Sequence, residues 1–246
     1  MNDPARRFDG RAADYDRYRP RYPRALAETI LDGLWQPVVA DVGAGTGIAS
    51  ELLRDAGANV IAIEPNAAMR EVLQRKPGIE VRDGRGEATG LPDASVDVVT
   101  VVQAFHWCEG AAALAEFARI LRPHGRLAAV FMDRDHDHAP SAAYAALERR
   151  HGGAAMLAAR PASAGSSATI AQSKAFKDAR TLHFPIEQRL DREGLQGRVR
   201  GLSHVPLDGP ERDAALADAD ALFARYARDG AIELRNVALL VLAVRS

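Results

Sequence analysis

The stretch Val39-Ala40-Asp41-Val42-Gly43-Ala44-Gly45-Thr46-Gly47-Ile48-Ala49-Ser50 carries a short apolar run into three alternating glycines and then into a fresh apolar pattern. Val38 to Val42 suits a strand buried on both faces, and Ile48, Ala49, Leu52, Leu53 and Ala56 recur with helical spacing. The glycines therefore occupy a strand-to-helix turn, where backbone N–H groups and a helix N-terminus commonly hold a nucleotide-like ligand. A dinucleotide fingerprint reads G-x-G-x-x-G, its third glycine lying inside the helix. Here the spacing is G-x-G-x-G, Ile48 stands where that third glycine would fall, and Asp41 lies two places before the first. A carboxylate beside the loop opposes a pyrophosphate and favours a cationic ligand.

Working outward, Val60 to Glu64 predicts a second strand, with Asn66 placed to cap a helix through Met69, Val72 and Leu73. Ile79 to Arg82 predicts a third strand, Val96 to Val102 a fourth, Ala112 to Leu121 a helix, and Leu127 to Met132 a fifth strand. Such alternation gives the α/β class: an open, doubly wound parallel sheet with helices on both faces. Beyond Asp133 the pattern weakens. Ser141 to Arg150 reads as a helix, and Gly152 to Ser173, rich in alanine, glycine and serine, reads as a mobile connection or lid within an insertion over 134–180. Thr181 to Leu190 predicts a strand, Pro210 to Arg228 a helix, and Ile232 to Arg245 one long closing strand or hairpin arm.

The bulk properties bound the partners. With 246 residues, 47% of them hydrophobic, the chain can bury a full core, and its length suits one domain over 1–246. A formal net charge of −1 gives no general attraction toward nucleic acid or an anionic membrane, so a small molecule is the expected partner. The apolar run Val237 to Val244 is far short of the ~20 residues that span a bilayer, and the start lacks a signal-peptide core, so a cytoplasmic protein is expected. The single cysteine, Cys108, forms no intramolecular disulfide and reads as a small packing residue rather than a nucleophile. Asp133-Arg134-Asp135-His136-Asp137-His138 alternates His with Asp but lacks any supporting ligand motif, and no metal is expected.

Glu64 ends the second strand, where a carboxylate can accept from both hydroxyls of a ribose, and Asp83 to Pro92 forms a further acidic loop after the third. At this point the chain resembles the class I S-adenosylmethionine-dependent methyltransferases, in the small-molecule branch with a type 11 methyltransferase domain. The resemblance is carried by Asp41 to Gly47, Glu64-Pro65, Gly86-Glu87-Ala88 before Leu91-Pro92, Ser95 to Val99 and Leu121 to Leu127. It implies a Rossmann-like, seven-stranded, mostly parallel sheet, a core over 37–133, and strands in 181–246 that close it. It further implies that Asp41, Gly43, Ala44, Gly45 and Gly47 hold the methionine part of the cofactor, Glu64 and Pro65 the ribose, Glu87 the adenine amino group, and Ala88 a backbone donor to the ring. The family more often has Asp at the position of Glu87 and glycine at that of His124.

Gln103-Ala104-Phe105-His106-Trp107 is similar to a subgroup containing trans-aconitate methyltransferase-like proteins. The similarity lays Gln103 and Ala104 along the methionine chain and turns His106 and Trp107 toward the acceptor or the adenine. A histidine near its solution pKa is also a ready general base, so His106 is the candidate catalytic residue with Tyr18 behind it; local packing of His106 and Trp107 is the alternative. In the resembling proteins the N-terminal arm, here 1–36, folds over the cofactor. Tyr15, Tyr18, Arg19 and Tyr22 are thus candidate lid or substrate contacts, against a purely anchoring role. Arg198, with Arg200 and His204, lines an anionic acceptor pocket or caps an exposed helix end. The expected reaction is methyl transfer to a small acceptor, leaving S-adenosylhomocysteine, by a monomer or homodimer. A nicotinamide-dependent oxidoreductase and a non-catalytic S-adenosylmethionine-binding protein are the alternatives.

Overall fold

The computed structural model describes residues 10–152 and 162–246. After two short helices, α1 (Ala12–Tyr18) and α2 (Arg24–Leu31), come β1 (Val38–Val42), α3 (Ile48–Asp55), β2 (Asn59–Ile63), α4 (Ala67–Leu73), β3 (Ile79–Arg82) and β4 (Val96–Val102). The chain continues with α5 (Gly110–Ile120), β5 (Leu121–Arg134), α6 (Ala139–His151), α7 (Ala162–Ala171), β6 (Phe176–Leu190), α8 (Arg192–Arg200), α9 (Pro210–Tyr226) and β7 (Ile232–Arg245). The seven strands form one mostly parallel sheet in the order β3-β2-β1-β4-β5-β7-β6, with helices on both sides. Strand β1 pairs in parallel with β2 on one side and β4 on the other. The order of the strands reverses there, and ligands of doubly wound sheets bind beyond the carboxyl ends of strands at such a point.

The chain divides into two compact units, each with a core of its own. One comprises the described residues of Tyr22–Met132, Arg160–Phe184 and Ala238–Ser246, and its core joins Val99 and Val101 of β4, Phe117 and Ile120 of α5, Ala129 and Phe131 of β5, and Val241 of β7. The valine- and alanine-rich strands of this unit are buried almost throughout, which explains why β1 and β4 read as unbroken apolar runs rather than alternating ones. The other comprises the described residues of Met1–Arg21, Asp133–Ala159 and Pro185–Val237. Its core gathers Tyr144 and Leu147 of α6, Leu195 and Val199 of α8, Ala215 and Leu222 of α9, and Ile232 and Leu234 of β7.

Several boundaries differ from the sequence reading. Strand β5 begins six residues earlier than expected: Leu121 pairs with Val96, and the register then shifts between Val96 and Val98. His124, in the position the family often gives to glycine, has φ +64° and is exposed, so the left-handed conformation is kept while glycine is not. Part of the expected lid is a helix instead. In α7, Ile170 is fully buried and the helix packs on α5, because alanine is the best helix former and one apolar side chain suffices to dock it. Residues 153–161 of that lid, and residues 1–9 of the arm, lie outside the described residues.

Candidate functional site

Each glycine of the loop after β1 has a positive φ: Gly43 at +70°, Gly45 at +58° and Gly47 at +86°. Gly47 is the N-cap of α3, so the helix begins at Ile48 and no third glycine is needed inside it. A side chain on Gly43 would place its Cβ 2.4 Å from the Cβ of Ala104, whereas one on Gly45 meets nothing within 4 Å. The loop is therefore pressed against the segment after β4 at one glycine and open at the next. The Ile63 carbonyl at the end of β2 accepts from the N–H groups of Gly43 (2.8 Å) and Ala44 (3.1 Å). These bonds hang the loop from the neighbouring strand.

Two buried carboxylates complete the cradle. Asp41 is fully buried and accepts from the Ser50 hydroxyl (2.5 Å) and the Thr100 hydroxyl (2.9 Å), which come from the first turn of α3 and from its register partner on β4. Glu64 accepts the N–H of Gly45 at 2.7 Å on one oxygen and that of Asn66 at 2.8 Å on the other. Each oxygen has two acceptor sites, so each keeps one for a ligand. Exposed Pro65 separates Glu64 from Asn66, whose side chain caps α4 by accepting from Met69 N–H. Burial raises the pKa of both acids; for Asp41 the two hydroxyls, and for Glu64 the N–H groups and Arg70, offset part of that, while Asp41 raises Glu64 further. A cationic ligand reverses these shifts by stabilising both charged forms.

The cradle also holds polar groups in want of a partner. Thr46 is buried with its hydroxyl unbonded among the described residues, and so is the side-chain nitrogen of Gln103, whose backbone has φ +56° and donates to Val130. These groups, the free acceptor sites of Glu64 and the open face at Gly45 suit a ligand with hydroxyl, carboxylate and cationic groups. Ala104 packs on Gly43. A short 3₁₀ turn, Phe105–Trp107, then buries Phe105 and leaves His106 and Trp107 exposed, their rings 4.8 Å apart and tilted by 45°.

One expectation changes in the loop after β3. Ala88, expected to offer a backbone donor, donates its N–H to the Arg85 carbonyl at 3.0 Å, because Arg85 and Ala88 close a tight turn on each other. Glu87, half-buried, accepts the Glu109 N–H at 2.6 Å, and so braces the start of α5 while keeping acceptor capacity. Burial, and then Glu87, push the Cys108 thiol up to about 12, which disfavours its thiolate.

The other candidates separate by unit. Tyr22 belongs with the glycine loop, while Tyr15, Tyr18, Arg19 and Arg198 belong to the second unit. Tyr18 is buried against Gly197, where a Cβ would lie 2.2 Å from its ring, and its hydroxyl donates to Glu193 at 3.2 Å. That arrangement suits an anchoring role. Arg19 stacks over Tyr15 at 4.9 Å. Arg198 is 2% exposed, which corrects the reading of an exposed helix end; Arg200 does lie near the surface, bonded to Asp14 and Glu193. Among the described residues no group of three or more His, Cys, Asp or Glu is placed to hold a metal ion. Among those residues no helix is long and apolar enough to cross a membrane. Sequence reading missed Ser50, Thr100 and Thr46; Ser50 alone left a signal, as a hydroxyl in the first turn of the helix that follows Asp41.

Residues 40–129, which contain the whole cradle except its outermost supports, match the methyltransferase-domain family. That match, together with the fold, supports a class I methyltransferase domain over these residues. It is 40% identical over 129 residues to an uncharacterised methyltransferase of Mycobacterium tuberculosis, covering 52% of this chain and 53% of that one. It is 31% identical over 128 residues to an inferred S-adenosylmethionine-dependent methyltransferase of Saccharomyces cerevisiae, covering 48% and 44%. The matched stretch thus spans about half the length of the curated relatives. A solved structure, a proposed type II methyltransferase from Anaeromyxobacter dehalogenans, superposes over 93% of this chain and 97% of its own with a TM-score of 0.66 at 27% identity.

The raised carboxyl pKa of Asp41 has a consequence for this domain's stability. The native state holds that proton more tightly than the unfolded chain, so stability falls as pH rises from about 4, the ordinary carboxylate value, through the raised native value. Asp41→Asn removes that part of the fall. Urea unfolding of the ligand-free protein at about pH 4 and about pH 7 is expected to show a smaller loss in the variant than in the parent; equal losses would contradict the burial of an ionised Asp41.

Proposed function

We infer that this chain transfers the sulfonium methyl of S-adenosylmethionine in line to a nucleophilic atom of a small-molecule acceptor and releases S-adenosylhomocysteine. The observation that carries the reading is the pair of buried carboxylates, Asp41 and Glu64, beside a loop of positive-φ glycines. Such a cradle favours a ligand that is cationic at one end and rich in hydroxyls at the other, and disfavours a pyrophosphate. The name of the yeast relative points the same way, and the relatives described above give no support to a nicotinamide enzyme. A net charge of −1 favours a small acceptor over a nucleic acid.

In this reading Asp41 supplies negative potential to the methionine end, the loop from Gly43 to Gly47 lets the ligand lie against backbone, and Gln103 donates its side-chain N–H groups to the methionine carboxylate. Glu64 accepts from the ribose hydroxyls with its two remaining sites, and Glu87 from the adenine amino group. When bound, the cofactor supplies a methyl already activated by the positive sulfur. The protein's own contribution is then alignment and exclusion of water, and alignment alone accounts for effective molarities of ~10⁵ M or more. His106, exposed on the turn after β4, takes the acceptor's proton where the acceptor must lose one. Trp107 stacks beside it and shapes the entrance.

Glu64→Ala removes a charged acceptor whose bonds to hydroxyls contribute roughly 1.5–3 kcal/mol each, so calorimetry is expected to show S-adenosylhomocysteine affinity lower by a factor of about ten or more. Unchanged affinity would remove Glu64 from the ribose. His106→Ala is expected to lower methyl-transfer turnover on the acceptor found by screening carboxylates and phenols, while leaving cofactor affinity nearly intact; full turnover in that variant would end its role as base.

A further inference from the structure

Among the described residues of the second unit, Arg134 and Arg198 lie beside a single buried carboxylate, Glu148. Arg134 of β5 makes a bidentate pair with Glu148 of α6, at 2.7 and 3.0 Å, and donates to Asn236 of β7 at 2.6 Å. Arg198 of α8 lies in the same cluster: its guanidinium stacks 5.0 Å from the centre of the Tyr144 ring, and that of Arg134 lies 5.3 Å from the same ring. Two guanidinium groups therefore face one carboxylate, and Arg19 adds a third positive charge to their surroundings.

The bonding of Arg198 is lopsided. Its Nη1 donates to the side-chain carbonyl of Gln188, while Nε and Nη2 are buried with no hydrogen-bond partner among the described residues. The Tyr144 hydroxyl, close enough to Arg198 to interact with it, likewise has no hydrogen bond of good geometry among the described residues. Nε and Nη2 are not an arbitrary pair. Their N–H bonds point the same way from one edge of the planar guanidinium, and that edge is the fork that accepts two oxygens of a carboxylate or phosphoryl group in parallel. A buried guanidinium with its fork unsatisfied and its charge half-compensated is costly, and an anion that fills the fork removes both costs at once. The same pairing explains why Arg134 does not serve: its own fork is taken by Glu148.

We propose that the Nε–Nη2 edge of Arg198, with the Tyr144 hydroxyl beside it, is a binding site for a small oxyanion, a carboxylate or a phosphoryl group. Gln188 holds the guanidinium from behind, and the pairing of Arg134 with Glu148 leaves the charge of Arg198 for the anion. The inference concerns binding alone and stands independently of methyl transfer. It is tested by titrating the full chain calorimetrically with acetate, succinate, benzoate and inorganic phosphate at constant ionic strength, with chloride as control. At least one oxyanion is expected to bind saturably, and Arg198→Lys, which keeps the charge and loses the fork, is expected to weaken it at least tenfold. A response confined to carboxylates or to phosphate identifies which group the fork takes. Tyr144→Phe, which keeps the ring under both arginines, gives a second reading and is expected to weaken the same anion severalfold. No binding by any oxyanion beyond chloride, or equal binding in Arg198→Lys folded as judged by circular dichroism, would overturn the proposal. If Arg198→Lys fails to fold, undiminished binding in Tyr144→Phe would overturn it.

Discussion

A carboxylate at the end of a strand buried on both faces is the constraint on which the cradle depends. Isolated from water, an ionised Asp41 would be costly by several kcal/mol, and the chain answers with two hydroxyls, Ser50 from the first turn of α3 and Thr100 from the adjacent strand. Meeting that demand fixes how α3 leaves β1 and holds β4 alongside. The loop between must then turn sharply in five residues, which is why three of them are glycines at positive φ. The end of β2 does the rest. Ile63 and Glu64 bind Gly43, Ala44 and Gly45 in succession, so the backbone and the second carboxylate are positioned by one set of bonds.

This interdependence explains what was legible in the sequence. The strand–glycine–helix boundary was visible because apolar period and glycine spacing change together at Val42 and Ile48, and β7 was visible because its run from Ile232 to Arg245 has no breaker. Asn66 was readable as a cap because capping is local. Partners contributed from far along the chain were not readable. Thr100 reaches Asp41 through strand register, and nothing in residues 96–102 distinguishes its face from the other. The donor at Ala88 was lost to a turn that closes on Arg85, a choice of backbone geometry that composition does not express.

The second unit shows the same limit more sharply. Arginine is ordinarily exposed, so Arg198 near the end of a short helix reads as a surface cation. Its burial comes from α6, which brings Tyr144 to it from 54 residues away, and from β6, whose Gln188 lies ten residues before it. Helix α8 itself was obscured by Gly194 and Gly197, and the second of these glycines exists to admit the ring of Tyr18. The packing of Tyr18 on Gly197 fits the anchoring alternative that the sequence left open.

The most direct test of the account is calorimetric titration of the chain with S-adenosylhomocysteine, S-adenosylmethionine and NAD under identical conditions. Saturable one-to-one binding of both sulfur nucleosides, with none of NAD, is the result predicted by a buried Asp41 and Glu64 beside a G-x-G-x-G loop. Binding of NAD alone would contradict it, and would mean that the carboxylates do not set the charge preference of the site.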